Sequence, residues 1–170
     1  EVDGAIVTKG GIANMLSGVR RVYTNVANSK TIIQDANRIR ETNEAITKEM
    51  LDDFMPMGTT MSDTDRINAL KWARGLDPAS GLPRKTLADP LHGTPLLVTY
   101  REGTSIKDVL YTGTNAGYIH AFDPDKDNAQ ELWAFMPQEM LPNLAVYESG
   151  LSRLVKTYGI DGPMSVYHKD

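Results

Sequence analysis

The chain has 170 residues, is 41% hydrophobic and 24% charged, and carries a formal net charge of −4, so it has a soluble globular composition with room for one domain or one domain plus an appendage. It contains no cysteine, which removes disulfides, thiolate catalysis and cysteine-based zinc sites together. No basic block speaks for nucleic acid, and no apolar run approaches the roughly 20 residues that a membrane span needs.

The first residue is Glu1 rather than Met and no signal peptide follows, which reads as a cut or processed piece. Residues 1–28 mix glycines with short apolar runs: a brief helix is expected after the pair Gly10-Gly11, and the alternation of Arg20–Val26 suits one strand. Ile32, Ala36, Ile39, Ile46 and Met50 fall on one helical stripe, which predicts a helix over about 31–51 capped by Asn28 or Ser29 and stopped before Pro56. A second helix is marked more sharply. Ser62 and Asp65 make a capping box, Ile67, Leu70 and Ala73 share a face, and Gly75 ends it. Residues 1–80 are therefore expected to be a helical and loop lead-in, and 77–89, with Pro78, Gly81 and Pro83, a loop.

The pattern then changes. Four short runs rich in β-branched and aromatic residues lie at about 95–100, 108–112, 118–122 and 131–136, separated by turn residues, and predict an antiparallel meander. Asn115-Ala116-Gly117 is hairpin chemistry, with Asn and Gly able to supply positive φ. Alternation along the last run puts Trp133 and Phe135 on one face and Leu132, Ala134 and Met136 on the other. After Pro137 a helical turn over 139–144 is expected to end at Pro142, and 151–158 and 164–167 read as two more strands joined through Gly159–Gly162.

Tyr111-Thr-Gly-Thr-Asn-Ala-Gly-Tyr-Ile-His-Ala-Phe-Asp123 followed by Glu131-Leu-Trp133 is also how a β-propeller blade is written. The fold class expected is thus mainly β with an α-helical N-terminal part: residues 81–170 form an incomplete β-propeller of about one and a half four-stranded blades, the first over about 95–136. A closed ring needs at least four blades of roughly 40 residues, and no second copy of the unit is present. The cut edge at 164–167 would then lack its partners, so disorder after about residue 145, or order gained from a neighbour, is expected.

Asp123, Asp125, Asp127 and Glu131 occupy positions one, three, five and nine of a candidate calcium loop, where oxygen ligands at alternate positions can converge on a hard cation. Asn128 stands where such loops have Gly and Ala134 where they have Glu, so calcium is expected to bind weakly or not at all; a solvated turn is the simpler reading. His92 and His120 have no third ligand at metal spacing. His120 alternates with Ile119 and Ala121, and a structural role with a backbone hydrogen bond is expected of it. His168, near the end, carries no signal. Asp89 reads as a turn cap, and Arg74-Gly-Leu-Asp77 only superficially resembles an Arg-Gly-Asp adhesion motif. No Ser–His–Asp order, phosphate loop or catalytic carboxylate pair can be made out, and no catalytic residue is expected.

Leu87-Ala-Asp-Pro-Leu-His-Gly-Thr-Pro95, Tyr111–Asp123, Glu131-Leu-Trp-Ala-Phe-Met-Pro137 and Tyr158-Gly-Ile-Asp-Gly162 occur in that order. Together they resemble the start of the C-terminal β-propeller of the PilC/PilY-type type IV pilus tip-associated proteins, closely over about 60–170 and more loosely before. Ala88, Gly93 and Ala116 depart from the family's Gly, Ser and Asp at turn positions. The resemblance implies a non-enzymatic pilus biogenesis and adhesin component at the bacterial periplasm, outer-membrane surface and pilus tip. Its partners would be pilin or minor pilin subunits, the rest of the propeller, and a host or abiotic surface. Family members have been associated with a calcium loop of fuller form than the one here. The absence of cysteine fits an exported bacterial protein. The alternatives are a fragment of a quinoprotein dehydrogenase, whose blades share the Ala-Phe-Asp…Trp pattern but which needs cofactor-clamping residues from several blades, and a generic propeller scaffold for protein binding.

Overall fold

Two glycines shape the central meander. The computed structural model describes residues 11–16, 20–27, 29–52, 60–125, 129–149, 158–160 and 162–167. Strands β2 (Leu96–Glu102) and β3 (Ser105–Thr114) are joined by Gly103-Thr104, with Gly103 at φ +58 and Thr104 at negative φ, the type II′ arrangement that suits the twist of antiparallel strands. These strands run through the polar 101–107 segment expected to be a turn, because Arg101 and Lys107 pair with Ile106 and Tyr100 and continue the ladder. A three-residue turn leads from β3 into β4 (Tyr118–Asp123). There Gly117 alone takes positive φ, at +82, and its amide donates to the Thr114 carbonyl at 2.9 Å. Asn115, expected to share that conformation, does not. Strand β5 (Gln130–Phe135) returns antiparallel to β4. The expected meander is present, and no helix interrupts it among the described residues of 108–136.

Strand β1 (Val22–Tyr23) lies parallel beside β5, its Arg21 and Tyr23 carbonyls accepting from the Ala134 and Met136 amides at 2.9 and 2.8 Å. The chain is thus mainly a five-stranded sheet, in the order β1-β5-β4-β3-β2, with few helices. The outer edge of β5 is covered by the chain's own N-terminal part, which removes an unpaired row of backbone groups.

Helix α1 (Gly11–Met15) is the short turn expected after the glycine pair, and α2 (Asp63–Ala73) is the helix marked by the capping box. Ser62 Oγ accepts from the Asp65 amide at 3.1 Å, and Asp65 Oδ2 accepts from the Ser62 amide at 3.0 Å. Gly75, at φ +78, follows its last turn. Replacing Ser62 by Ala should lower stability by about 1 kcal/mol, read as a shift in the urea midpoint at constant slope.

The helix expected over 31–51 is not there. Among described residues this stretch holds one 3-10 turn (Asp35–Asn37) and a series of bends and turns; of the expected stripe Ile39 and Ile46 are buried, whereas Ala36 and Met50 are exposed. Two asparagines explain the difference. Asn37 Nδ2 donates to the carbonyls of Thr31 and Ile32, and its Oδ1 accepts from the Ala27 amide; Asn43 Nδ2 donates to the carbonyls of Ala36 and Arg38. Side-chain amides here take carbonyls that a helix would use internally. Arg66 of α2 takes three more, from Glu41, Asn43 and Ile46.

Helices α2 and α3 (Asn143–Ser149) pack with this stretch on one face of the sheet around Val22, Ile39, Leu70, Met136, Leu141 and Leu144. The helical turn expected after Pro137 is a 3-10 turn, Gln138–Met140, which stops before Pro142, and α3 begins directly after that proline, a place proline tolerates because a first-turn amide is unpaired anyway. Of the two further strands expected, 151–157 lies outside the described residues. Met164–Tyr167 is described and joins no sheet, with Tyr167 88% exposed; without a partner its backbone has no ladder to enter. Residues 158–160 instead close over the β3–β4 turn, the Ile160 amide donating to the Thr114 carbonyl at 3.2 Å. A Cβ on Gly159 would lie 2.3 Å from the Gly117 nitrogen, so Gly159→Ala should push this segment off the turn, cost about 1–3 kcal/mol and speed exchange of the Ile160 amide.

Candidate functional site

The two faces of the sheet present different chemistry, and a β-bulge sets up the first. Ile119, His120 and Ala121 pair with Phe135, Ala134 and Trp133, but Phe122 pairs with Glu131, leaving Leu132 as the extra residue. Strict alternation would have put Glu131 on the face of Trp133. The bulge turns it to the face of His120, inside the molecule.

There it meets Arg20 from the segment before β1. Arg20 Nε donates to Glu131 Oε2 at 2.7 Å and Nη2 to Oε1 at 2.8 Å, a bidentate pair, while His120 Nδ1 lies 2.7 Å from Oε1. The imidazole is 2% exposed and stands between the Tyr118 and Phe122 rings at centroid distances of 5.5 and 5.6 Å. Burial alone would raise the Glu131 carboxyl, but the Arg20 and His120 hydrogen bonds outweigh it and hold it at about 2. Burial lowers His120, against the pull of Glu131, so the imidazole is neutral at pH 7, with Nδ1–H donated to the carboxylate. His120 is therefore held by a carboxylate rather than by a backbone group, and Nε2 has no hydrogen-bond partner among the described residues.

This geometry removes Glu131 from the candidate calcium set, since both its oxygens are engaged in the core. Asp123 Oδ2 lies 3.8 Å from Lys107 Nζ, and the Asp125 amide donates to Asp123 Oδ1 at 3.2 Å, an Asx-type turn. Asp127 is outside the described residues, as is His168. Among the described residues no group of three or more His, Asp or Glu could hold a metal ion. Asp89 ties its loop to the hairpin, its carbonyl accepting from the Asn115 amide at 3.0 Å and its Oδ2 from Asn115 Nδ2 at 2.9 Å. Arg74 is ion-paired with Glu41, and Asp77 accepts from Ser80, so Arg74–Asp77 is a helix end and a tight turn.

The opposite face is apolar. Trp133 and Phe135 share it, as alternation required, and with Ile32, Ile33 and Ile119 they line a groove of about 450 Å³. Tyr111 continues the surface at 5.8 Å from Trp133, and its hydroxyl lies 2.7 Å from that of Tyr100. Ile33 is 50% exposed at the lip. The Ile32–Ile33 wall was hidden by the helical reading of 31–51; two adjacent isoleucines cannot both lie on one narrow helical stripe, and that was the available signal. Among the described residues no helix is long and apolar enough to cross a membrane.

No family model, no curated protein and no solved structure matches the chain. The features that bear on function are thus the antiparallel meander, the apolar groove on one face and the buried Arg20–Glu131–His120 cluster on the other.

Proposed function

We propose that the chain is the start of a β-propeller in a type IV pilus tip-associated protein, with residues 1–80 as the lead-in and 81–170 as the incomplete propeller. It is a non-enzymatic component that works by protein contact at the bacterial surface and pilus tip, with pilin-like subunits and the rest of the propeller as partners. One observation carries the reading: the meander leaves an aromatic and aliphatic groove open on the face away from its own helices. Aromatic side chains that are neither core nor fully solvated are the usual anchors of protein contact. The ordered motifs from Leu87 to Gly162 supply the pilus context, and the two-glycine meander suits a blade.

The test is made in the source bacterium, with the intact protein. The protein is expected in the sheared pilus fraction, and Trp133→Asp with Phe135→Asp should remove it from that fraction while leaving its own abundance unchanged. Piliation unaffected by deletion of the protein, together with its absence from sheared pili, would refute the proposal.

The Asp123–Asp127 turn belongs to the same proposal as a weak calcium site at most. Calcium should move the melting temperature by less than about 2 °C relative to chelator, because a loop that does not coordinate gains nothing by linkage. A larger shift, abolished by Asp125→Ala, would overturn that.

A further inference from the structure

A cavity of about 230 Å³ lies between the end of α2, the 84–88 segment and β4. Its walls are apolar: Ala73, Leu87, Ala88, Ala116 and the Tyr118 ring. It reaches solvent past Thr86, which is exposed. Two polar groups interrupt these walls. His120 lines the cavity with Nδ1 committed to Glu131, and Nε2 is a buried acceptor lone pair without a donor. Arg84 lines it too. Its guanidinium lies over the Trp72 ring at 4.1 Å and Nη2 donates to the Trp72 carbonyl at 3.0 Å, but Nε is buried without an acceptor among the described residues.

An uncompensated acceptor and an uncompensated donor in one apolar cavity each carry a desolvation penalty that a complementary occupant would relieve. The occupant must accept from Arg84 and donate to His120. Charge narrows it further. Arg20 is neutralised by Glu131, whereas Arg84 has no ion pair within bonding reach among the described residues and feels Asp77 only through space, so its positive charge is only partly offset. That favours a carboxylate against Arg84. It disfavours an ammonium as the donor to His120, which would sit near two guanidinium groups, and leaves a hydroxyl. Size sets the limit, since the volume equals about seven or eight water molecules at roughly 30 Å³ each. We propose that this cavity binds a small hydroxycarboxylate, its carboxylate accepting from Arg84 Nε and its hydroxyl donating to His120 Nε2.

The probes are glycolate and acetate, which differ by the hydroxyl, titrated into the 15N-labelled chain. Glycolate should give saturable shifts at Ala73, Ala88 and Ala116 and move the His120 Nε2 resonance. Acetate should bind at least about tenfold more weakly, because it leaves Nε2 unpaired. Arg84→Gln should weaken glycolate at least about tenfold with an unchanged circular dichroism spectrum. His120 is not the residue to vary, since its loss would disturb Glu131. No saturable shift up to about 50 mM glycolate would mean that ordered water alone fills the cavity, and would overturn the proposal. Equal affinity for acetate, or glycolate binding untouched by Arg84→Gln, would overturn it as well.

Discussion

Glu131→Gln is expected to lower the unfolding free energy by about 3–5 kcal/mol, the cost of leaving a buried charge without its partner. Arg20 is 7% exposed and its hydrogen bonds to side chains run to Glu131, so the variant strands a guanidinium in the core beside His120. The change should appear in urea as a lower midpoint with an unchanged slope. A loss below about 1 kcal/mol would show that the pair is solvated. The same cluster fixes the acid limb of stability. Glu131 titrates at about 2 when folded, against 4.5 ordinarily, so it contributes about 3 kcal/mol that is complete above pH 4.5 and lost as pH falls through 2. His120 has the same sign. Burial lowers its folded pKa, so the unfolded chain takes a proton first as pH drops below about 6.5, and stability declines from there. Stability should rise with pH from 2 to about 6.5 and then level, and in Glu131→Gln the portion between about 2 and 4.5 should largely disappear.

Arg66→Met is the second large effect expected. The Arg66 side chain donates to the carbonyls of Ile46, Glu41 and Asn43 at 2.7, 3.1 and 2.5 Å, and it is one of the few ties between α2 and a stretch without regular structure. Hydrogen bonds from a charged donor are worth about 1.5–3 kcal/mol apiece in isolation, but the three act on one short loop and are not additive. A loss of about 2–4 kcal/mol is expected, with faster amide exchange confined at first to residues 39–46. Protection there that matched the wild type would mean that the asparagines hold the loop without Arg66.

These two sites also show where the sequence was legible. The meander could be read because alternation, glycine turns and β-branched runs are local signals, and because sheet pairing extends them. The capping box of α2 was equally local. The apolar spacing of the 31–51 stretch fits a helix, while the groups that unmake one, Asn37, Asn43 and Arg66, act through side-chain bonds that periodicity does not record. Glu131 was placed in a metal loop because nothing in Glu131-Leu-Trp133 announces a bulge; one extra residue reverses the face of every side chain beyond it. His120 was given the right face and the wrong partner. Its true partner, Glu131, is 11 residues away in sequence and is itself held by Arg20, 111 residues before it, a juxtaposition only the fold creates.

The claim that the apolar groove is a protein-contact surface can be tested at a single residue. A photo-crosslinking amino acid in place of Ile33, at the lip of the groove, is compared in piliated cells with the same group in place of Leu82, which is 65% exposed and outside the groove. A discrete crosslinked band containing the pilin-like subunit proposed as partner is expected from position 33, absent from position 82 and lost with Trp133→Asp. Equal labelling from both positions, or none from position 33, would contradict it.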